Sequence, residues 1–253
     1  MSREAHDSAT HPAAARALLG ARRVLAIVAH PDDESFGLGA LLGTVTEAGG
    51  DAAVLCFTHG EASTLRGDDH DLHTTRAGEL ERAARELGVG WMRLLTYPDG
   101  RLNDASLSAL RDDALSAISE FSPTLVLMLD ENGVTGHSDH VRASSAGLLA
   151  ARSAVLGAVS WSLPEFVAAA LNREFGASFL GRPDAELSVA LNVDRTRQLR
   201  AIAEHRTQSL QNPILWRRLE LQGTSEWLRW SHLPTIEVTR NQNRGTVRSG
   251  YLA

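Results

Sequence analysis

The stretch "VLAIVAHPDDESFGLGA", residues 24–40, decides the fold. Its first six residues are apolar without alternation, the mark of a strand buried on both faces. Four titratable side chains follow at once: His30, Asp32, Asp33 and Glu34. The run 37–49 then reads as a helix that stops at Gly49-Gly50. Working outward, the same order recurs. Strands are expected at 51–60, 91–97 and 123–133, and helices at 74–88, 104–121 and about 139–152. Asp104 is the candidate N-cap of the third helix, and Ala77, Leu80, Ala84 and Leu87 share one face of the second.

Strands alternating with helices predict an α/β fold: a Rossmann-like, three-layer domain around a mostly parallel sheet. The second half is less regular. "AVSWSL", "ELSVALNV" and "PTIEVTR" read as strands, 164–175 as helical, and 194–210 as one amphipathic helix. The segment 211–233 is rich in Trp without a clear period. One domain is expected over 1–253, with a core at about 22–210 and a C-terminal elaboration at 211–253.

The formal net charge of -6 speaks against nucleic acid or an anionic membrane as partner. A single cysteine, Cys56, excludes an internal disulfide and fits a reducing cytoplasm, the expected location. No signal peptide and no apolar run of membrane-spanning length is apparent, so no integral membrane segment is expected.

In open parallel sheets ligands bind beyond the carboxyl ends of the strands. There this chain carries "HPDDE", "THGE", "PDG" and "DENGVTGHSDH". Zinc takes His nitrogens and carboxylate oxygens, and a catalytic site leaves one position open for water. His30 and Asp33 from one loop with His140 from a facing loop would make such a set, leaving Asp32 beside the ion as a general base. His137 would stabilise a tetrahedral oxyanion and Asp139 would orient its ring. Plainer readings stand beside these. HPDDE is also a helix-start pattern, Asp139 an N-cap, His137 a surface histidine, and Glu34 a brace for its loop.

With "HSDH" (137–140) a hundred residues after "AHPDDE", the chain resembles the PIG-L/LmbE family of zinc-dependent N-deacetylases. The likeness extends through "THGE" (58–61), "RAGELERAARELGV" (76–89), "YPDG" (97–100) and "AIAEHRTQS" (201–209). It implies the same ligand set and base, with His137 as the acid held by Asp139. It further implies Arg76 and Asp99 as sugar contacts, whose plain readings are a helix-surface Arg and a turn Asp. His205 matches a recurrent family histidine, and a packed helix residue is its plain reading. The implied substrate is a small sugar amide of the N-acetylglucosamine type. Amidases of mycothiol-type conjugates and deacetylases of glycosylated antibiotics belong to the same family. The implied cofactor is Zn2+, a site to which other divalent transition metals also bind. One departure stands out. Mycothiol-type members carry a Tyr before the second motif, where this chain has Val134 and Thr135.

Three rival readings stand beside this one. Gly37, Gly39 and Gly43 faintly match a dinucleotide fingerprint, but no acid closes the second strand. "GHSDH" approaches a nucleophile elbow without its last Gly. A metal protein without catalysis is the third. The C-terminal tryptophans would wall a sugar pocket, sit in the core, or join copies of a homo-oligomer.

Overall fold

The computed structural model describes residues 18, 20–65, 71–187 and 189–233. Seven strands form one sheet: β1 (Arg23–Val28), β2 (Asp51–Thr58), β3 (Val89–Tyr97), β4 (Leu125–Leu129), β5 (Gly157–Trp161), β6 (Val189–Asn192) and β7 (Ser225–His232). Their order is β3-β2-β1-β4-β5-β7-β6. Strands β1 to β5 pair in parallel, while β7 runs antiparallel to both β5 and β6.

The alternating residues of β1 explain its unbroken hydrophobicity. Val24, Ala26 and Val28 join one apolar core, and Leu25 and Ile27 join the other. The first core holds α2 (Gly39–Glu47), α3 (Leu72–Leu87) and α7 (Thr196–Glu204) against the sheet. The second holds α4 (Leu107–Phe121) and α5 (Ser138–Ser153). The expected three layers are therefore present. Helices α1 (Asp33–Phe36), α6 (Glu165–Phe175), α8 (Arg206–Ser209) and α9 (Pro213–Gln222) complete the set named here.

Several local expectations change. The N-cap of α4 is Ser106, whose side chain accepts from the Ala109 N–H. Asp104 instead ends a 3-10 turn and pairs with Arg101 at 2.7 Å. The buried face of α3 includes Arg76 and Glu79, and Ala77 is only half-buried. Hydrophobic spacing could not include two charges on a core-facing stripe. The expected single helix 194–210 breaks at His205 into α7 and α8. The Trp-rich segment supplies a helix and then β7, an interior strand between β5 and β6. "PTIEVTR" lies outside the described residues. Gly88 stops α3 at φ 75, as its position predicted.

The glycines behind HPDDE are packing residues. A Cβ on Gly37 would lie 2.8 Å from Leu129 Cδ2, on Gly39 3.0 Å from Gln198 Cγ, and on Gly43 3.3 Å from Arg197 Cβ. Strand order reverses between β1 and β4, so a crevice opens at their carboxyl ends. The loop after β4 is pinned there by a strap in which Leu180 N–H donates to Val134 O at 2.7 Å. The strap approaches α6 so closely that a Cβ on Gly181 would sit 2.5 Å from Glu165 Cα. Gly181→Ala should cost about 1–3 kcal/mol of unfolding free energy, as overpacking against backbone does. A urea titration giving an unchanged midpoint would contradict this close approach.

Candidate metal centre and active site

The site forms because the turn after β1 points its acids in different directions. The Asp33 carboxylate turns back: Oδ2 accepts the backbone N–H of Ala29 at 3.1 Å and of His30 at 3.0 Å. Its Oδ1 then faces His140 Nε2 at 3.1 Å. His30 Nδ1 lies 3.2 Å from the same His140 nitrogen and 3.7 Å from Asp33 Oδ2. His140 stands in the first turn of α5, and its Nδ1 lies 3.0 Å from Gly133 O. That carbonyl accepts only from an N–H, which assigns a proton to Nδ1 and turns Nε2 toward the carboxylate and the second imidazole. Burial lowers the pKa of His140, but Asp33 outweighs it and raises it, so a proton or a cation is favoured at Nε2. Such a donor set fits a cation. With ligand bonds of about 2.1 Å, tetrahedral zinc would separate its ligand atoms by roughly 3.4 Å, within the range of the 3.1, 3.2 and 3.7 Å spacings here. His30, Asp33 and His140 can thus hold a metal together.

A second group, His30, His137 and Asp139, also converges. Its members are already committed. Asp139, fully buried, accepts the N–H of Gly100 at 2.8 Å and of Leu102 at 3.2 Å. His137 Nδ1 accepts the Asp139 N–H at 3.2 Å and so caps α5. The N-cap is therefore His137 rather than Asp139. No hydrogen bond joins the Asp139 carboxylate to the His137 ring, so the expected orienting contact is made through backbone. The His137 ring meets His30 edge-on, with centroids 4.8 Å apart.

Asp99 and Asp139 instead address His30. Its Nε2 lies 3.0 Å from Asp99 Oδ1 and 3.5 Å from Asp139 Oδ2, without the alignment of a hydrogen bond. Burial lowers the proton affinity of His30, but Asp139, Asp99 and Asp33 outweigh it and raise its pKa to about 10. Burial raises the carboxyl of Asp33, and the two facing histidines drive it well below the usual range. Burial and the neighbouring His30 and His140 lower the pKa of His137.

Asp32 stays off the triad. Its backbone sits at φ 125, a conformation rare for any side chain. Its N–H donates to Glu34 Oε2 at 2.9 Å, and its carboxylate receives Arg76 at 2.9 Å. Burial raises its pKa, against the opposing pull of Arg76. Arg76, buried on α3, also donates to the carbonyls of Gly60 and Pro31. Gly60 must be glycine there: φ is 65, and a Cβ would fall 2.0 Å from the guanidinium. The plain helix-start reading of HPDDE holds in part: Asp33 and Glu34 stand in the first turn of α1. Asp32 precedes α1 but its side chain caps nothing.

Glu34 is the brace. Fully buried, it accepts from Ser35 Oγ and lies 2.7 Å from Nε2 of the equally buried His205. This pair joins the first loop to the break between α7 and α8. Thr135 Oγ1 lies 3.1 Å from His140 Nδ1, and Val134 is buried at φ 56.

The triad opens into a cavity of about 490 Å³. One flank is polar, with Asp32, Arg76, Asp99, Ser63, Thr64 and Gln208. The other is apolar, with Phe36, Leu129, Trp161, Phe179, Ile214 and Leu215. The tryptophan in this lining is Trp161; the C-terminal Trp216, Trp227 and Trp230 are not in it. Among the described residues no helix is long and apolar enough to cross a membrane.

Two outcomes are expected. His205→Ala strands the Glu34 charge in the core and should cost about 3–5 kcal/mol in denaturant unfolding. Asp99→Asn removes the carboxylate behind His30 and should weaken zinc binding about 10- to 100-fold, read by competition with a chromophoric chelator.

Residues 25–151 match the family model described as PIG-L: GlcNAc-PI de-N-acetylase. A 1D-myo-inositol 2-acetamido-2-deoxy-alpha-D-glucopyranoside deacetylase of Kineococcus radiotolerans is 31% identical over 74% of this chain and 69% of its own length. A mycothiol S-conjugate amidase of Streptomyces coelicolor is 27% identical over 86% of this chain and 74% of its own. Among solved structures, an A40926 pseudoaglycone deacetylase superposes with TM-score 0.66 at 27% identity, over 83% of this chain and 96% of that one. The chain therefore belongs to the PIG-L family of de-N-acetylases and is, by class, an amide hydrolase.

Proposed function

We propose that this chain is a zinc-dependent hydrolase that removes an N-acetyl group from an N-acetylglucosamine-type conjugate, with Asp32 as general base. The observation that carries this is the convergence of His30, Asp33 and His140 acceptor atoms beside a carboxylate kept off them. In this reading those three residues hold the ion. When bound, it supplies Lewis acidity, lowering the pKa of a water toward about 7 and polarising a carbonyl. Asp32 takes the proton of the attacking water and returns one to the leaving nitrogen. Arg76, at 2.9 Å, holds that carboxylate in place. His137, at the exposed lip of the cavity, donates to the oxyanion, and its ring is fixed by the Asp139 N–H at 3.2 Å. The sugar lies along the polar flank, where its hydroxyls meet Arg76 and Asp99. Both residues then work twice, since each also positions a residue of the triad or its base.

The N-acetylglucosamine-type substrate draws on the names of the relatives and on this polar flank. A second reading has its own support. The apolar flank exceeds what an acetyl group needs, which favours a substrate with a bulky conjugate, as in a mycothiol-type amidase or a glycosylated-antibiotic deacetylase. Because β7 of the C-terminal part lies inside the sheet, we further propose that 1–253 functions as one domain.

The test is acetate release from N-acetylglucosamine glycosides. A chelator should abolish it and zinc restore it. Asp32→Asn should lower kcat by about 10²–10⁴ while still binding zinc. Full turnover by Asp32→Asn, or by chelated enzyme, would overturn the mechanism.

A further inference from the structure

The buried cation Arg218 has no role in the reaction above. It stands on α9, is 5% exposed and lines the apolar end of the cavity. Its Nη2 donates to Phe36 O at 2.6 Å, and its guanidinium lies 5.0 Å from the centre of the Trp161 ring. Unlike Arg76, the other buried arginine described, it has no carboxylate within ion-pair distance among the described residues. Glu226, whose charge acts on it, is already occupied: Arg195, Trp161 Nε1 and Gln222 all donate to it. Burial lowers the Arg218 pKa to about 10, still charged at neutral pH.

A buried, uncompensated cation is costly. Here it is set in the wall of the reaction cavity, beside Phe36 and Trp161. The guanidinium fork also matches a planar carboxylate. The interposed surface of Phe36, Leu129, Trp161 and Leu215 suits an apolar spacer.

We infer that Arg218 recognises a carboxylate carried on an apolar arm of the substrate, which makes the apolar flank a subsite for an anionic substituent. This inference rests on the proposed deacetylase reading. The arm has two sources, the anomeric substituent and the N-acyl group. Both would bring their carboxylate past Trp161.

The experiment uses the zinc-loaded full chain and two matched pairs. One pair is 4-carboxyphenyl and 4-carbamoylphenyl N-acetylglucosaminide. The other is glucosamine N-acylated with a glutaric acid arm or with its terminal amide. Binding is measured by calorimetry on the Asp32→Asn variant, and amine release on the unaltered enzyme. In at least one pair the carboxylate should bind about ten- to hundredfold tighter, as a charge-assisted hydrogen bond does. R218Q should bring the ratio near one, and R218K should keep part of it. The pair that responds identifies the arm. Equal binding of acid and amide in both pairs, or a preference that survives in R218Q, overturns the inference. Absence of amine release from every compound would instead count against the deacetylase reading. Should R218Q fail to fold, R218M and the wild-type acid-to-amide ratio carry the same test.

Discussion

Electron-pair acceptors pressed to within 4 Å of one another repel unless a positive charge stands between them. His140 Nε2, the Asp33 carboxylate and His30 Nδ1 are in that position, and a proton or a metal ion can supply the charge. Much of the surrounding chain holds them there. Two backbone amides lock the Asp33 carboxylate, the Gly133 carbonyl orients His140, and Asp99 and Asp139 stand behind His30. The strained backbone at Asp32 and Val134 borders the same centre. Strain of that kind persists where the surroundings over-determine it.

The placement follows from topology. Strand order reverses between β1 and β4, so the loops after these strands face each other across an open crevice. The first contributes His30 and Asp33, the second His140. The same seven-stranded scaffold serves other chemistry. A 4-carboxy-2-hydroxymuconate hydratase from Pseudomonas superposes with TM-score 0.64 at 15% identity, a likeness of fold alone. The candidate site here is built at the carboxyl ends of the strands and the helix starts that follow them.

Reading from residues found the strands and helices of the first half well, because buried parallel strands are continuously apolar and helices end at glycine. It failed where charge enters the core. Arg76 and Glu79 on α3 break the apolar stripe, and each is satisfied only by distant partners: Asp32 for one, Thr207 for the other. The Trp-rich segment hid an interior strand. Its residues Trp227 and Trp230 are only half-buried, so no clear apolar alternation marked it. Arg218 carried no signal either, since nothing near it in the chain says which cavity it faces.

By itself the sequence determined the α/β class, the strand-end positions of HPDDE and HSDH, and the family to which the chain belongs. These are local or order-of-motif properties, and a chain carries them without folding. Tertiary structure alone decided how the acids divide their labour. Asp33 is recruited because two amides turn it back, Asp32 is withheld because Arg76 reaches it from α3, and Glu34 is spent on His205, 171 residues away. It also decided that Asp139 serves the 100–102 turn and His30 rather than the His137 ring. Direction and partnership of a side chain are set by what the fold brings within 3 Å, and sequence spacing does not specify that.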